Sequence, residues 1–316
     1  MSVIEISKLC KYYSRDIKAL DSLDLRVPSK KIYGFLGPNG AGKTTTIKIL
    51  LGFIRNYQGK VAVFGEELNG NLVAIKQRIG YVPEGATLPK NLKVQSFLSA
   101  TARIHGLSRE ATAEAIKDTL KVTGMSAYRN RKIGHMSKGQ KQRISIANAL
   151  VHSPELLILD EPTSGLDALS RGKLLNFIRN WSVDTGGSVF VSSHVLSEID
   201  KICDQVAILN RGRLLARGSI YDIRGQFISP VYNIQAKNLD IKELEKVSHV
   251  INVQHGVNHN GSVKVEVDNL ELGSLSLLHH FASKKIVVSR FSLEEPTLEA
   301  AFSKIVESDD GKMEVQ

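Results

Sequence analysis

An apolar strand that runs straight into a glycine loop restricts this chain more than any other feature. Residues 31–36 read as that strand, and Gly37-Pro38-Asn39-Gly40-Ala41-Gly42-Lys43-Thr44 follows at the spacing G-x-x-x-x-G-K-[ST], with a helix through 46–50 behind it. Glycines let consecutive backbone N–H groups turn toward one anion, and the start of the helix adds its positive end. In such a loop Lys43 reaches the β- and γ-phosphates of a nucleotide, and the Thr44 hydroxyl, with Thr45 beside it, faces a magnesium position. A strand, loop and helix in this order imply an α/β sheet and a phosphate site.

A second strand end complements the first. Residues 156–159 are a short apolar run that ends in Asp160, a carboxylate able to hold Mg²⁺ directly or through water. Glu161 follows and is placed to act as base toward an attacking water, a role worth about 10²–10⁴-fold in rate. Residues 188–192 form another buried parallel strand, with His194 just beyond it. Residues 3–6 and 22–27 alternate apolar with polar and read as short strands, and 206–212 as a strand entering a hairpin. The stretch 92–152 reads as helical, with Val94, Phe97, Leu98, Ala102 and Ile104 at helical spacing and Ser108 as an N-cap.

The 316 residues allow one large domain or two unequal ones, and the 42% hydrophobic content suffices for a sizeable core. The net charge of +10 is uneven: residues 225–316 balance to −4 and the remainder to +14. A basic front suits nucleotide phosphates, nucleic acid or an anionic membrane leaflet. No run approaches the roughly 18–20 apolar residues of a membrane span, the N-terminus lacks a signal-peptide pattern, and Cys10 and Cys203 read as small core residues in a reducing compartment. Residues 225–230 are the expected linker. Beyond it the order strand 231–236, helix 240–246, strand 250–255, strand 263–267, helix 271–284, strand 286–292 is that of a ferredoxin-like unit. A last helix opens at Pro296, the unit ends near 307, and the acidic tail 308–316 is expected to fray. His255 and His259 are four apart, but Gly256 and Asn258 between them favour a turn over a metal site.

Met136-Ser137-Lys138-Gly139-Gln140, some twenty residues before Asp160, resembles the L-S-G-G-Q signature of ABC ATPases. Leu159-Asp160-Glu161-Pro162-Thr163-Ser164-Gly165-Leu166-Asp167 is similar to that family's Walker B strand and D-loop, His194 to its switch histidine, and Tyr13, with Tyr12 as the neighbouring alternative, to its adenine-stacking aromatic. The resemblance covers about residues 1–222. It implies a P-loop NTPase of ABC type over 1–224, with an antiparallel β subdomain and a helical subdomain near 85–152, followed by the small α+β domain at 231–307. It further implies an ATP-hydrolysing subunit that works with Mg²⁺ as a homodimer or heterodimer, peripheral to the cytoplasmic face of the membrane. Separate transmembrane permease subunits recognise the substrate. Ser137, Gly139 and Gln140 then close on the γ-phosphate bound by the other copy, His194 acts in cis, and Asp167 communicates across the two-fold interface.

Two positions depart from the family pattern. Lys138 replaces a glycine, adding a cation that either nears the partner's phosphates or is solvated. Glu84, in Gly80-Tyr81-Val82-Pro83-Glu84, stands where most members carry glutamine, and although it can ligate Mg²⁺ it brings an extra negative charge. These two features, with the extension that ends in Glu295-Pro296-Thr297-Leu298-Glu299-Ala300-Ala301-Phe302, resemble the drug- and antibiotic-resistance exporters among bacterial ABC proteins. Family members that act on ribosomes or DNA carry two ATPase domains in one chain or a long coiled coil. Neither pattern occurs here, so no nucleic-acid partner is expected.

Overall fold

The computed structural model describes residues 1–14, 16–85, 87–227, 230–237, 239–255, 262–294 and 297–313. The chain divides into two compact units, Met1–Ile220 and Tyr221–Gln316. The first unit runs β1 (Ser2–Tyr12), β2 (Lys18–Pro28), β3 (Ile32–Leu36), α1 (Lys43–Leu50), β4 (Gln58–Val63), β5 (Glu66–Glu67), α2 (Leu72–Gln77), β6 (Ile79–Val82) and α3 (Val94–Ile104). It continues with α4 (Arg109–Val122), α5 (Lys138–Leu150), β7 (Leu156–Asp160), α6 (Ala168–Thr185), β8 (Ser188–Ser193), α7 (Leu196–Ile202), β9 (Gln205–Asn210) and β10 (Arg213–Ser219).

β2-β1-β4-β5 is an antiparallel sheet. The other sheet has the order β10-β9-β3-β8-β7-β6, parallel throughout except that β10 joins β9 antiparallel. Every residue of β3, β7 and β8 is buried, as expected of parallel strands covered on both faces. Leu9, Leu23, Leu25, Ile47, Leu50, Phe35 and Phe190 form one core between the two sheets. β1 and β2 are longer than the expected 3–6 and 22–27. Register shifts near Ile6 and Leu9, with Lys8 and Ser22 in left-handed backbone, break the alternation that marks a strand.

α3, α4 and α5 pack about Val94, Leu98, Ala102, Ile116, Leu120 and Ile144. Ser108 caps α4, accepting the Ala111 N–H at 3.2 Å. Ile104, expected on the apolar face of α3, is instead 82% exposed, because the buried stripe is the narrow one at Val94, Leu98 and Ala102. No helix among the described residues is long and apolar enough to cross a membrane. Cys10 and Cys203 are free and half-buried, and burial pushes the Cys203 thiol well above its ordinary range.

Next comes α8 (Ile220–Phe227), so Gly225, where the linker was expected to begin, lies inside a helix, and the units divide earlier. Ile223 within this helix is fully buried. The second unit then runs β11 (Val231–Ala236), α9 (Ile241–Leu244), β12 (Val250–His255), β13 (Ser262–Val267), α10 (Leu270–Ser283), β14 (Val288–Glu294) and α11 (Leu298–Met313). Its antiparallel sheet has the order β12-β13-β11-β14, the ferredoxin-like arrangement. α11 reaches Met313, into the stretch expected to fray, with the Ser308 hydroxyl donating to the Ile305 carbonyl. His259, Pro296 and residues 314–316 lie outside the described residues.

Candidate functional site

The sheet order builds the site. β8 lies between β3 and β7, with Leu36 opposite Ser193 and Asp160 opposite Ser192. Three neighbouring parallel strands therefore end at one edge and deliver there the glycine loop, the Asp160–Glu161 pair and His194. This is where open α/β sheets bind ligands. A cleft of about 1010 Å³ opens instead beside Lys30, Glu155 and Ser188, where the same strands begin, away from these residues.

The loop can turn because of its glycines. Gly40 and Gly42 have φ of +81° and +107°, and a Cβ on Gly37 would stand 2.3 Å from the Leu209 carbonyl oxygen. α1 begins at Gly42 with no side-chain cap, leaving its first amides for an anion. Lys43 is buried, its ammonium donating to the carbonyls of Gly37 at 2.7 Å and Pro38 at 3.2 Å and lying 3.5 Å from Glu161 Oε1.

Glu161 is buried and has φ +48°, a conformation non-glycine residues hold only when their surroundings impose it. Ser192 imposes it here: the Glu161 N–H donates to the Ser192 carbonyl at 3.2 Å and to its hydroxyl at 3.1 Å. Glu161 Oε2 lies 2.8 Å from His194 Nδ1, which fixes the tautomer with the proton on Nδ1. Oε1 is buried with no hydrogen-bond partner. A base with one oxygen oriented by an imidazole and the other free beside the phosphate-loop lysine can take a proton from water.

Asp160 accepts the Ser192 hydroxyl at 2.6 Å, and its Oδ1 lies 3.4 Å from the Thr44 hydroxyl. These hard oxygens, one anionic, beside the phosphate loop fit Mg²⁺. Glu84 is exposed in the turn after β6, two residues beyond Val82, whose partner Leu159 precedes Asp160. Burial and then the Asp160 charge push the phenol of nearby Tyr81 up to about 12.

Tyr13 is exposed, and its hydroxyl lies 3.3 Å from that of Thr45, which ties it to the helix of the phosphate loop. The Tyr12 ring instead faces Lys18. Ser137 caps α5 in a capping box: its hydroxyl accepts the Gln140 N–H at 3.2 Å, and Gln140 Oε1 accepts the Ser137 N–H at 3.0 Å. A Cβ on Gly139 would stand 3.2 Å from Ser170 Oγ, and Lys138 runs over Gly165, occupying the space a side chain there would need. The Lys138 ammonium therefore rests on the segment after Glu161, a third placement beside the two weighed from sequence. Asp167 caps α6, and hydrogen bonds from Ser170, the hydroxyl first and then the amide, hold its carboxyl below the usual carboxylate range. Among the described residues, 137–140 make no hydrogen bond to the phosphate loop. Sequence reasoning missed Ser192. Its only signal was a polar residue ending an apolar run in register with Asp160.

Lys43, Asp160, Glu161 and His194 on neighbouring strand ends define a phosphate-loop ATPase in which a buried carboxylate lies between the loop lysine and a histidine. A family model described as ABC transporter matches residues 20–164, and one described as the C-terminal domain of DrrA1-3-like ATP-binding proteins matches 218–306. The bacitracin transport ATP-binding protein BcrA of Bacillus licheniformis is 34% identical over 306 residues, covering 96% of this chain and 97% of its own. The daunorubicin/doxorubicin resistance ATP-binding protein DrrA of Streptomyces peucetius is 31% identical, covering 95% and 91%. A solved structure of the ATP-binding subunit of an ABC transporter, 30% identical, superposes with a TM-score of 0.65 over 72% of this chain and 93% of its own. The chain belongs to the ATP-binding, ATP-hydrolysing subunits of ABC transporters.

Proposed function

We propose that this subunit drives an exporter of antibiotic-like compounds, working as a two-fold dimer on the cytoplasmic face beneath separate membrane subunits. The Lys43–Glu161–His194 chain of contacts carries the catalytic part of the reading. Lys43 and the loop amides grip the triphosphate, Glu161 takes the proton of the attacking water, and His194 orients Glu161. Thr44 and Asp160, with Glu84 from the neighbouring turn, would hold magnesium, which when bound would neutralise phosphate charge. Tyr13 stacks on adenine. The surface formed by Ser137, Gly139 and Gln140 meets the other copy's nucleotide, and the exposed Asp167 lies at the interface between the copies. The bacitracin and daunorubicin/doxorubicin names of the two relatives support the exporter assignment.

Glu161→Gln tests the catalytic reading. Turnover falls about 10²–10⁴-fold while ATP affinity persists, and the variant elutes as a dimer when ATP and Mg²⁺ are present. Wild-type turnover removes Glu161 from its role. An ATP-loaded monomer that remains monomeric when reconstituted with its membrane subunits removes the shared site.

A further inference from the structure

One buried carboxylate outside the set described above faces the segment that follows Glu161. Glu198 lies on α7, four residues beyond His194, and is 4% exposed. Its Oε2 accepts the Thr163 hydroxyl at 2.5 Å, and Thr163 is itself buried. Its Oε1 lies 3.0 Å from Arg171 Nε, an ion pair without hydrogen-bond alignment. Arg171, on α6, also donates to the Leu166 carbonyl at 3.3 Å.

Burying a carboxylate is costly, and a buried ion pair is weak grounds for stability alone. What distinguishes Glu198 is where its partners lie. Thr163 belongs to the segment that joins Glu161 to Asp167, and Arg171 to the helix that Asp167 caps. The segment is tightly wound: the Ser164 N–H donates to the Glu161 carbonyl, and the Leu166 N–H to that of Thr163. A shift of Thr163 therefore reaches both ends. α7 is a firm anchor, because Ile199 fills the space a Cβ on Gly34 of β3 would take.

We propose that Glu198 is a positioning residue for ATP hydrolysis: through Thr163 and Arg171 it fixes the 161–167 segment against the helix that follows His194, keeping Glu161 aimed. Ser192 holds the segment where it leaves β7, and Glu198 holds it two residues further on. The inference rests on the roles given above to Glu161 and His194.

The test uses the full-length protein in steady-state ATP hydrolysis, with hydrogen exchange of segment 161–167 in the presence of a non-hydrolysable ATP analogue and Mg²⁺ as a readout that needs no turnover. Thr163→Val keeps the side chain's shape and loses its hydroxyl. It lowers kcat about tenfold, the value of one charge-assisted hydrogen bond, leaves KM for ATP within about twofold, and speeds exchange of the segment. Thr163→Ser restores both. Added to Thr163→Val, Glu198→Gln costs less than it does alone, because the two residues act as a unit. Wild-type hydrolysis and exchange in Thr163→Val overturns the proposal, as does a Thr163→Ser protein as impaired as Thr163→Val. With Glu161→Gln run alongside, a dead Glu161→Gln and a normal Thr163→Val refute the positioning role alone. A normal Glu161→Gln refutes the base assignment instead.

Discussion

Ser192→Ala removes the group that ties two strand ends together. Ser192 is fully buried; its hydroxyl donates to Asp160 Oδ1 at 2.6 Å and accepts the Glu161 N–H at 3.1 Å. The Ser192 carbonyl still accepts that N–H at 3.2 Å, so the amide keeps one partner after substitution. The loss is therefore the bond to a charged group, about 1.5–3 kcal/mol. At about 2–4 °C per kcal/mol for a unit of this size, the midpoint of thermal unfolding falls by roughly 3–12 °C. Ser193→Ala is the internal control, since its hydroxyl accepts only the backbone N–H of Val195, at 2.9 Å, and a neutral bond is worth about half as much. Trp181, the only tryptophan, lies nearly buried in α6, so its fluorescence follows the unfolding of the first unit alone. Equal shifts in the two variants, or a Ser192→Ala midpoint within about 1 °C of wild type, refute the claim that the carboxylate bond holds this edge.

Gly165 has φ +68° with Lys138 over it, so Gly165→Ala costs about 1–2 kcal/mol from backbone handedness and more from the lysine. Lys138→Ala recovers only the second part, which denaturant midpoints of the two single variants and the double variant resolve. His152, stacked on His105 with ring centroids 3.7 Å apart, has its pKa pushed down to about 4, by burial first and by the neighbouring imidazole second. Because the unfolded chain takes up that proton first, stability is complete above about pH 6.5 and falls as the pH drops toward 4. His152→Gln narrows the difference between urea midpoints at pH 7.5 and pH 5; an unchanged difference excludes this histidine. Arg78 donates to Glu155 at 2.7 and 3.0 Å, which holds the carboxyl below its usual range. That contribution is present above the ordinary carboxylate pKa and is lost as the pH falls through the lowered one. Both groups are partly exposed, so Glu155→Gln costs under about 1 kcal/mol at pH 7 and still less in high salt. A loss that salt does not reduce contradicts an ionic origin.

Legibility follows how local each signal is. Lys43, Asp160, Glu161 and His194 stand out because each follows a run buried on both faces, and a parallel strand declares itself by unbroken apolarity. That β8 lies between β3 and β7 is a matter of crossovers, and no single run encodes it. Ser192 reads from sequence as a small core residue, since only register shows Asp160 beside it. Glu198 gives no local signal, since its partners Thr163 and Arg171 are separated from it by 35 and 27 positions. Ser137 and Gln140 illustrate the opposite problem. Their spacing is a complete capping box, locally satisfied, so elementary chemistry finds a helix start there, and only family membership points it at a phosphate.

α5 carries Ser137 outward, but its next residue, Lys138, rests on Gly165, while Glu198 grips Thr163 from the opposite helix. The five peptide links from Glu161 to Leu166 thus have one contact from α5 and one from the helix after His194. If a second molecule displaces α5, the segment either follows and moves Glu161 or loses the Lys138 contact. Packed interiors favour such discrete alternatives over continuous deformation. Lys138→Gly, which restores the residue most of the family carries, separates the two outcomes. Hydrogen exchange over 161–167 that no longer responds to ATP-driven dimerisation means that the lysine transmits the displacement. An undiminished response means that the segment answers to Glu198 and the nucleotide alone.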